Sequence, residues 1–259
     1  VLVAPLLWTP ACAASAPTEP TKRDRLVENA ARRFGRAVLY KPREGIGHDV
    51  DQTFVPLIVE QADNESAAAK PAPKTLYSAV SSVELGGEQF DQVTFAWTYN
   101  GERSDPQSVC GRLRGVRITI DNDGYPLIWE ALSDGTDRLP VFVAESLEQE
   151  AKTTFGEPQS GARVALEQKP RPAAEAVIVG TVEQGPVPMG PYVYLSSAPQ
   201  RTITTILCRC SPSQVDEFIA TAEYDLQPLK ALEHKCPDLL KRLQSSRLET
   251  MLRWPRGKP

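Results

Sequence analysis

Five cysteines and two histidines hold most of the chemistry this sequence offers. Cys208-x-Cys210 and His234-x-Cys236 gather three thiols and an imidazole late in the chain, and Cys110 stands far upstream. Without Cys12, which belongs to the N-terminal segment, the cysteines form an even set. In an exported chain that implies two disulfides, with three connectivities to choose from. Residues two apart on a strand share a face, so Cys208 and Cys210 are poorly placed to bridge each other. Each is expected to reach outward, one to Cys110 and the other to Cys236. The alternative is a zinc or copper(I) site of Cys208, Cys210, Cys236 and His234, with Cys110 able to replace the imidazole. However, C-x-C is not the C-x-x-C knuckle of zinc ribbons. A redox role would draw on helix N-termini at Ser211 and Pro237 to stabilise thiolates at Cys210 and Cys236. Structural disulfides are the preferred reading, and no cofactor is expected.

Other motifs carry less. Thr119 to Glu130 imitates a calcium loop, with Asp121, Asp123, Gly124 and Glu130 in ligand-loop places, but Thr119 stands where aspartate belongs. Its flanks are strand-like, so a plain hairpin is expected. His48 sits beside Asp49 in a glycine-containing loop, without a G-x-S-x-G elbow, H-E-x-x-H helix or P-loop to make a hydrolytic site. The segment Gly185-Pro186-Val187-Pro188-Met189-Gly190-Pro191, leading to Tyr192, is a stiff connection. Its prolines also make it a candidate partner surface, because little entropy is lost when it binds. A second candidate surface is the basic C-terminal helix carrying Arg242, Arg247 and Arg253, suited to an acidic partner or anionic lipid.

The elements that must position these residues follow from periodicity. Residues 1–16 read as an export segment, an apolar stretch followed by small residues, and Cys12 raises the alternative of a lipoprotein anchor. A tether at 17–21 precedes the globular region, 22–259. Leu26, Val27, Ala30, Ala31 and Phe34 predict an N-terminal amphipathic helix capped by Thr21. Residues 61–75 read as an exposed loop. Strands are expected at Phe54–Val59, Leu76–Leu85, Val93–Tyr99, Val116–Ile120, Leu127–Leu132, Val141–Ala144, Val164–Leu166, Val177–Val182, Tyr192–Leu195 and Ile203–Cys208. Asn122-Asp123-Gly124 supplies a hairpin turn. Ser146 and Gln149 predict a short capped helix ending at Gly156. Residues 211–259 read as helical, opening with a Ser211–Gln214 capping box followed by Val215, Phe218, Ile219 and Ala222. The expected fold is α+β, with mostly antiparallel sheet, an N-terminal helix and a helical C-terminal segment.

Composition bounds the function. The 259 residues carry a net charge of -4, which argues against general nucleic-acid binding. No apolar run approaches the roughly 20 residues of a membrane-spanning helix. At 41% apolar and 24% charged the chain is that of a folded protein. The expectation is an exported protein, periplasmic or at the cell surface of a bacterium. It is read as disulfide-stabilised and non-catalytic, with a binding or structural role toward a protein or cell-envelope partner. A thiol-based metal-binding or redox protein is the alternative.

Overall fold

The computed structural model describes residues 37–43, 52–61, 75–99, 113–133, 139–168, 176–197, 201–209, 218–233, 243 and 248–255. These residues are 58% strand. The strands are β1 (Ala37–Pro42), β2 (Leu57–Gln61), β3 (Thr75–Leu85), β4 (Glu88–Thr98), β5 (Leu113–Ile120), β6 (Pro126–Ser133), β7 (Leu139–Ala144), β8 (Ala176–Val182), β9 (Pro191–Leu195), β10 (Ile203–Cys208) and β11 (Phe218–Pro228). They form one sheet in the order β10-β9-β2-β1-β11-β3-β4-β5-β6-β7-β8. The edge strands β8 and β10 come back into contact, so the sheet curls into a near-closed barrel. The described helices are short: α1 (Glu145–Phe155), α2 (Lys230–Glu233), α3 (Leu248–Met251) and a 3-10 turn at Gln52–Phe54.

The α+β expectation is thus corrected to a mostly β architecture, and residues 218–228 show why. Helical spacing predicted a helix through Phe218, Ile219 and Ala222, yet these residues belong to β11, which lies between β1 and β3 and runs parallel to both. Read at period two, Ala220, Ala222, Tyr224 and Leu226 share a face, and all four pack in or against the main core. A strand with ladders on both edges and a buried face overrides local helix preference. The sheet is mixed: β1–β11, β11–β3, β2–β9 and β7–β8 are parallel pairs. The expected N-terminal helix, its Thr21 cap, the Ser211–Gln214 cap, His48 and residues 1–21 lie outside the described residues. So does most of the 61–75 loop, whose ends are the close of β2 and the start of β3.

The run β3 to β7 is an antiparallel meander built from strands the sequence predicts. Between β5 and β6, Oδ1 of Asp121 accepts the N–H groups of Asp123 (3.0 Å) and Tyr125 (2.7 Å). Gly124 takes φ 86°, a conformation that costs glycine no steric clash. This is the expected hairpin. Glu130, the last place of the calcium-like pattern, is instead buried in β6 against Arg117 of β5, at 3.4 Å.

Parallel strands need a crossover, and α1 supplies it between β7 and β8. Leu147 and Ala151 are fully buried on its inner face, each apolar side chain of leucine size contributing about 1.5–3 kcal/mol. The expected Ser146 cap is corrected: the cap position is Ala144, without a side-chain bond, and Ser146 Oγ donates to Gln184 Oε1. Val164–Leu166, expected as a strand, is a buried turn. Its backbone donors would be orphaned without the buried carboxylate of Glu148, which accepts the N–H groups of Ala165 (2.9 Å) and Leu166 (3.3 Å).

Candidate functional site

The proline-rich segment after β8 is clamped at both ends. On its first side, Gln184 Nε2 donates to Pro126 O at 2.7 Å and Tyr125 OH donates to Pro186 O at 3.1 Å. Both partners sit at the start of β6, where the Asp121 turn fixes them. On the far side, Gly190 N–H donates to Thr53 O at 2.7 Å. Arg209 reinforces that junction, its Nε on Gly190 O at 2.9 Å and its Nη2 on Thr53 O at 2.8 Å. Burial pulls the Arg209 pKa below its ordinary value. Gly190 is required by proximity, since a Cβ there would lie 2.2 Å from Phe54 O.

Between the clamps Pro186 and Val187 are exposed, Pro188 and Met189 are half-buried, and Pro191 is buried as the first residue of β9. Val187 is 54% exposed, one of two large apolar side chains so placed among the described residues; the other is Val80. Tyr192 is half-buried on the outer face of the sheet, its ring 6.3 Å from that of Tyr194. Burial pushes the Tyr194 phenol up to about 12.

Beneath the loop lies a narrow cleft at the β8–β10 seam, lined by Tyr125, Trp129, Met189, Pro191 and Cys208 among others. The enclosed space is about 10 Å³, room for one acceptor atom of water size. Trp129, 2% exposed, is one of the residues that line it, and its buried indole N–H has no hydrogen-bond partner among the described residues. Cys208, 9% exposed, closes β10, and the cysteines expected to pair with it lie outside the described residues. Cys12, Cys110, Cys210, His234 and Cys236 are likewise outside, so the structure does not bring the thiol cluster together or separate it. Among the described residues no group of three or more His, Cys, Asp or Glu is placed to hold a metal.

Arg253, expected on a basic partner surface, spends its charge inside the molecule. Its guanidinium lies 4.6 Å from the centre of the Phe155 ring and donates to Ala165 O. Arg242 and Arg247 lie outside the described residues. Among the described residues no helix is long and apolar enough to cross a membrane.

A second cluster was not legible in the sequence. Arg201 follows the β9 strand end with φ 44°, in the left-handed region that a branched-free but long side chain adopts only when held there. It is held by Glu60 of β2, whose Oε1 lies 2.6 Å from Arg201 Nε, and by Arg114 of β5, whose Nε donates to Arg201 O at 3.0 Å. Its guanidinium stacks 4.5 Å from the Tyr99 ring centre, and Tyr40 OH donates to Glu60 at 3.2 Å. Burial raises the Glu60 pKa, with Arg201 and Tyr40 pulling the other way. Burial also raises the Tyr99 phenol, and the Glu60 charge adds to it. The cluster ties the β9–β10 connection to strands on both sides of the barrel. Compared with protein-family models, curated proteins and solved structures, the chain matches none.

Proposed function

We propose that this is an exported, disulfide-stabilised, non-catalytic protein that binds a protein or cell-envelope partner through the Pro186–Pro191 loop. The observation that carries this reading is the double clamp. Five hydrogen bonds, from Gln184, Tyr125, Gly190 and twice from Arg209, fix the ends of a segment that leaves Val187 in solvent. A loop ordered before it meets its partner loses little conformational entropy on docking, so even a small apolar contact yields usable affinity. The exported setting rests on the sequence, on the apolar, small-residue start of the chain and the even set of cysteines beyond it.

The test compares two exposed valines. Val187→Asp is expected to abolish co-fractionation of the protein with its envelope partner, while Val80→Asp, on the distant β3, leaves it intact. Unchanged association of the Val187→Asp protein would overturn the reading.

A further inference from the structure

We propose that the Pro186–Pro191 loop is a strap that keeps the barrel shut at the β8–β10 seam, and that freeing its clamps opens the seam from that end. No partner is needed for this, so it stands apart from the binding role proposed for the same loop.

The seam is where the barrel lacks a backbone ladder. Among the described residues β8 pairs with β7 and β10 with β9, and the two meet as the ends of the strand order. What they share is the core. Ile178 and Val182 of β8 and Ile203, Ile206 and Cys208 of β10 are buried in one apolar cluster. At the irregularity in the β7–β8 ladder, Val179 O accepts from the Arg163 guanidinium at 3.3 Å. A junction packed by side chains without cross-strand bonds opens locally at a cost below that of global unfolding.

The two ends of the seam are held differently. Near the start of β10, Arg201 is bound to Glu60 of β2 at 2.6 Å, and its carbonyl accepts from Arg114 of β5 at 3.0 Å. These bonds pin the β9–β10 connection. At the other end the fastening is the loop. It leaves β8 through Gln184 and Pro186, tied to Pro126 O and Tyr125 OH. It enters β9 through Gly190, tied to Thr53 O and to Arg209, which directly follows the last residue of β10. One clamp thus belongs to the β6–β7–β8 side and the other to the β2–β9–β10 side. Val187, Pro188 and Met189 span the distance between them, and the prolines leave little slack. The cleft beneath is lined from both sides, by Tyr125 and Trp129 on one and Pro191 and Cys208 on the other.

Amide hydrogen exchange on the full chain, resolved to single amides, tests the strap. Tyr125→Phe removes one bond on the β6 side and keeps the ring, and Arg209→Gln removes two on the other side. The decisive amides lie across the seam from each change. Leu207 and Cys208 should exchange about threefold faster in Tyr125→Phe, the scale of one exposed hydrogen bond. Thr181 and Val182 should speed up by more than that in Arg209→Gln. Ile203 to Thr205, beside Arg201, and the central β4–β5 ladder should keep wild-type rates in both. Acceleration confined to the loop and to the side that carries the change would overturn the proposal. So would a uniform acceleration that includes β4 and β5, which would mean that the clamps add only to global stability.

Discussion

Arg201 Nε and Glu60 Oε1 lie 2.6 Å apart, joining residues separated by 141 positions and locking the β9–β10 connection onto β2. Removing only the cation leaves a buried carboxylate uncompensated. Arg201→Ala should therefore lower unfolding free energy by about 3 kcal/mol, at the lower end for a broken buried pair. Urea denaturation at neutral pH measures it, and a loss below about 0.5 kcal/mol, the scale of an exposed pair, would contradict the assignment.

The same carboxyl sets a pH dependence. Burial raises the folded-state pKa of Glu60 above its ordinary value of 4.5. Its proton is bound more tightly in the folded state, so its contribution to stability is fully present below 4.5 and lost as pH rises through the folded value. The wild type should thus lose stability relative to Glu60→Gln as pH is raised across that window. Parallel stability–pH curves for the two proteins would show that Glu60 is not held as described.

Arg117 and Glu130 form a second buried pair, 2% and 8% exposed at the side chain, and Arg117 also donates to Leu243 O. Arg117→Leu should cost about 3–5 kcal/mol, whereas the double change with Glu130→Leu should recover much of that loss. A double-mutant cycle on unfolding free energies gives the coupling, and additive losses would sink the claim that the two charges compensate each other.

Gly190 ties the clamped loop to the 3-10 turn. Gly190→Ala would force a Cβ to within 2.2 Å of Phe54 O, an overpacking that costs about 1–3 kcal/mol. Amide exchange around 186–190 should speed up with it, because the Arg209 bonds depend on the same junction. Unaltered exchange there would mean that the far clamp does not order the loop.

The cysteines give a chemical prediction. Protein produced in an oxidising compartment should resist thiol alkylation, even when unfolded, until it is reduced, and its native mass should carry no metal. Alkylation of the unfolded, unreduced chain together with a zinc or copper adduct on the native one would instead favour the metal site of Cys208, Cys210, Cys236 and His234.

What the sequence made legible was what neighbouring residues decide. The Asp121–Gly124 turn is a local matter of side-chain bonds and positive φ, and the meander strands around it alternate or run apolar over short stretches. β11 was misread because Phe218, Ile219 and Ala222 fit a helix as well as a strand, and only the pairing with β1 and β3 decides between them. The turn at Val164–Leu166 looks like a strand because it is apolar, yet it is buried through Glu148, on a different element. Of the site, the proline loop was readable from composition, but its clamps were not. Tyr125, Thr53 and Arg209 reach it across 61 residues in the first case and from β10's far end in the last. Glu60 with Arg201, and Trp254 with Gly86 and Phe90, are likewise long-range pairings that leave no periodic signal.

The binding role proposed for the clamped loop is tested most directly by site-specific photocrosslinking in the native envelope. A photoreactive amino acid would be placed at Val187 and, as a control of equal exposure, at Val80. A discrete adduct from position 187 that is absent from position 80 is the predicted result. No adduct at 187, or the same adducts from both positions, would contradict the account.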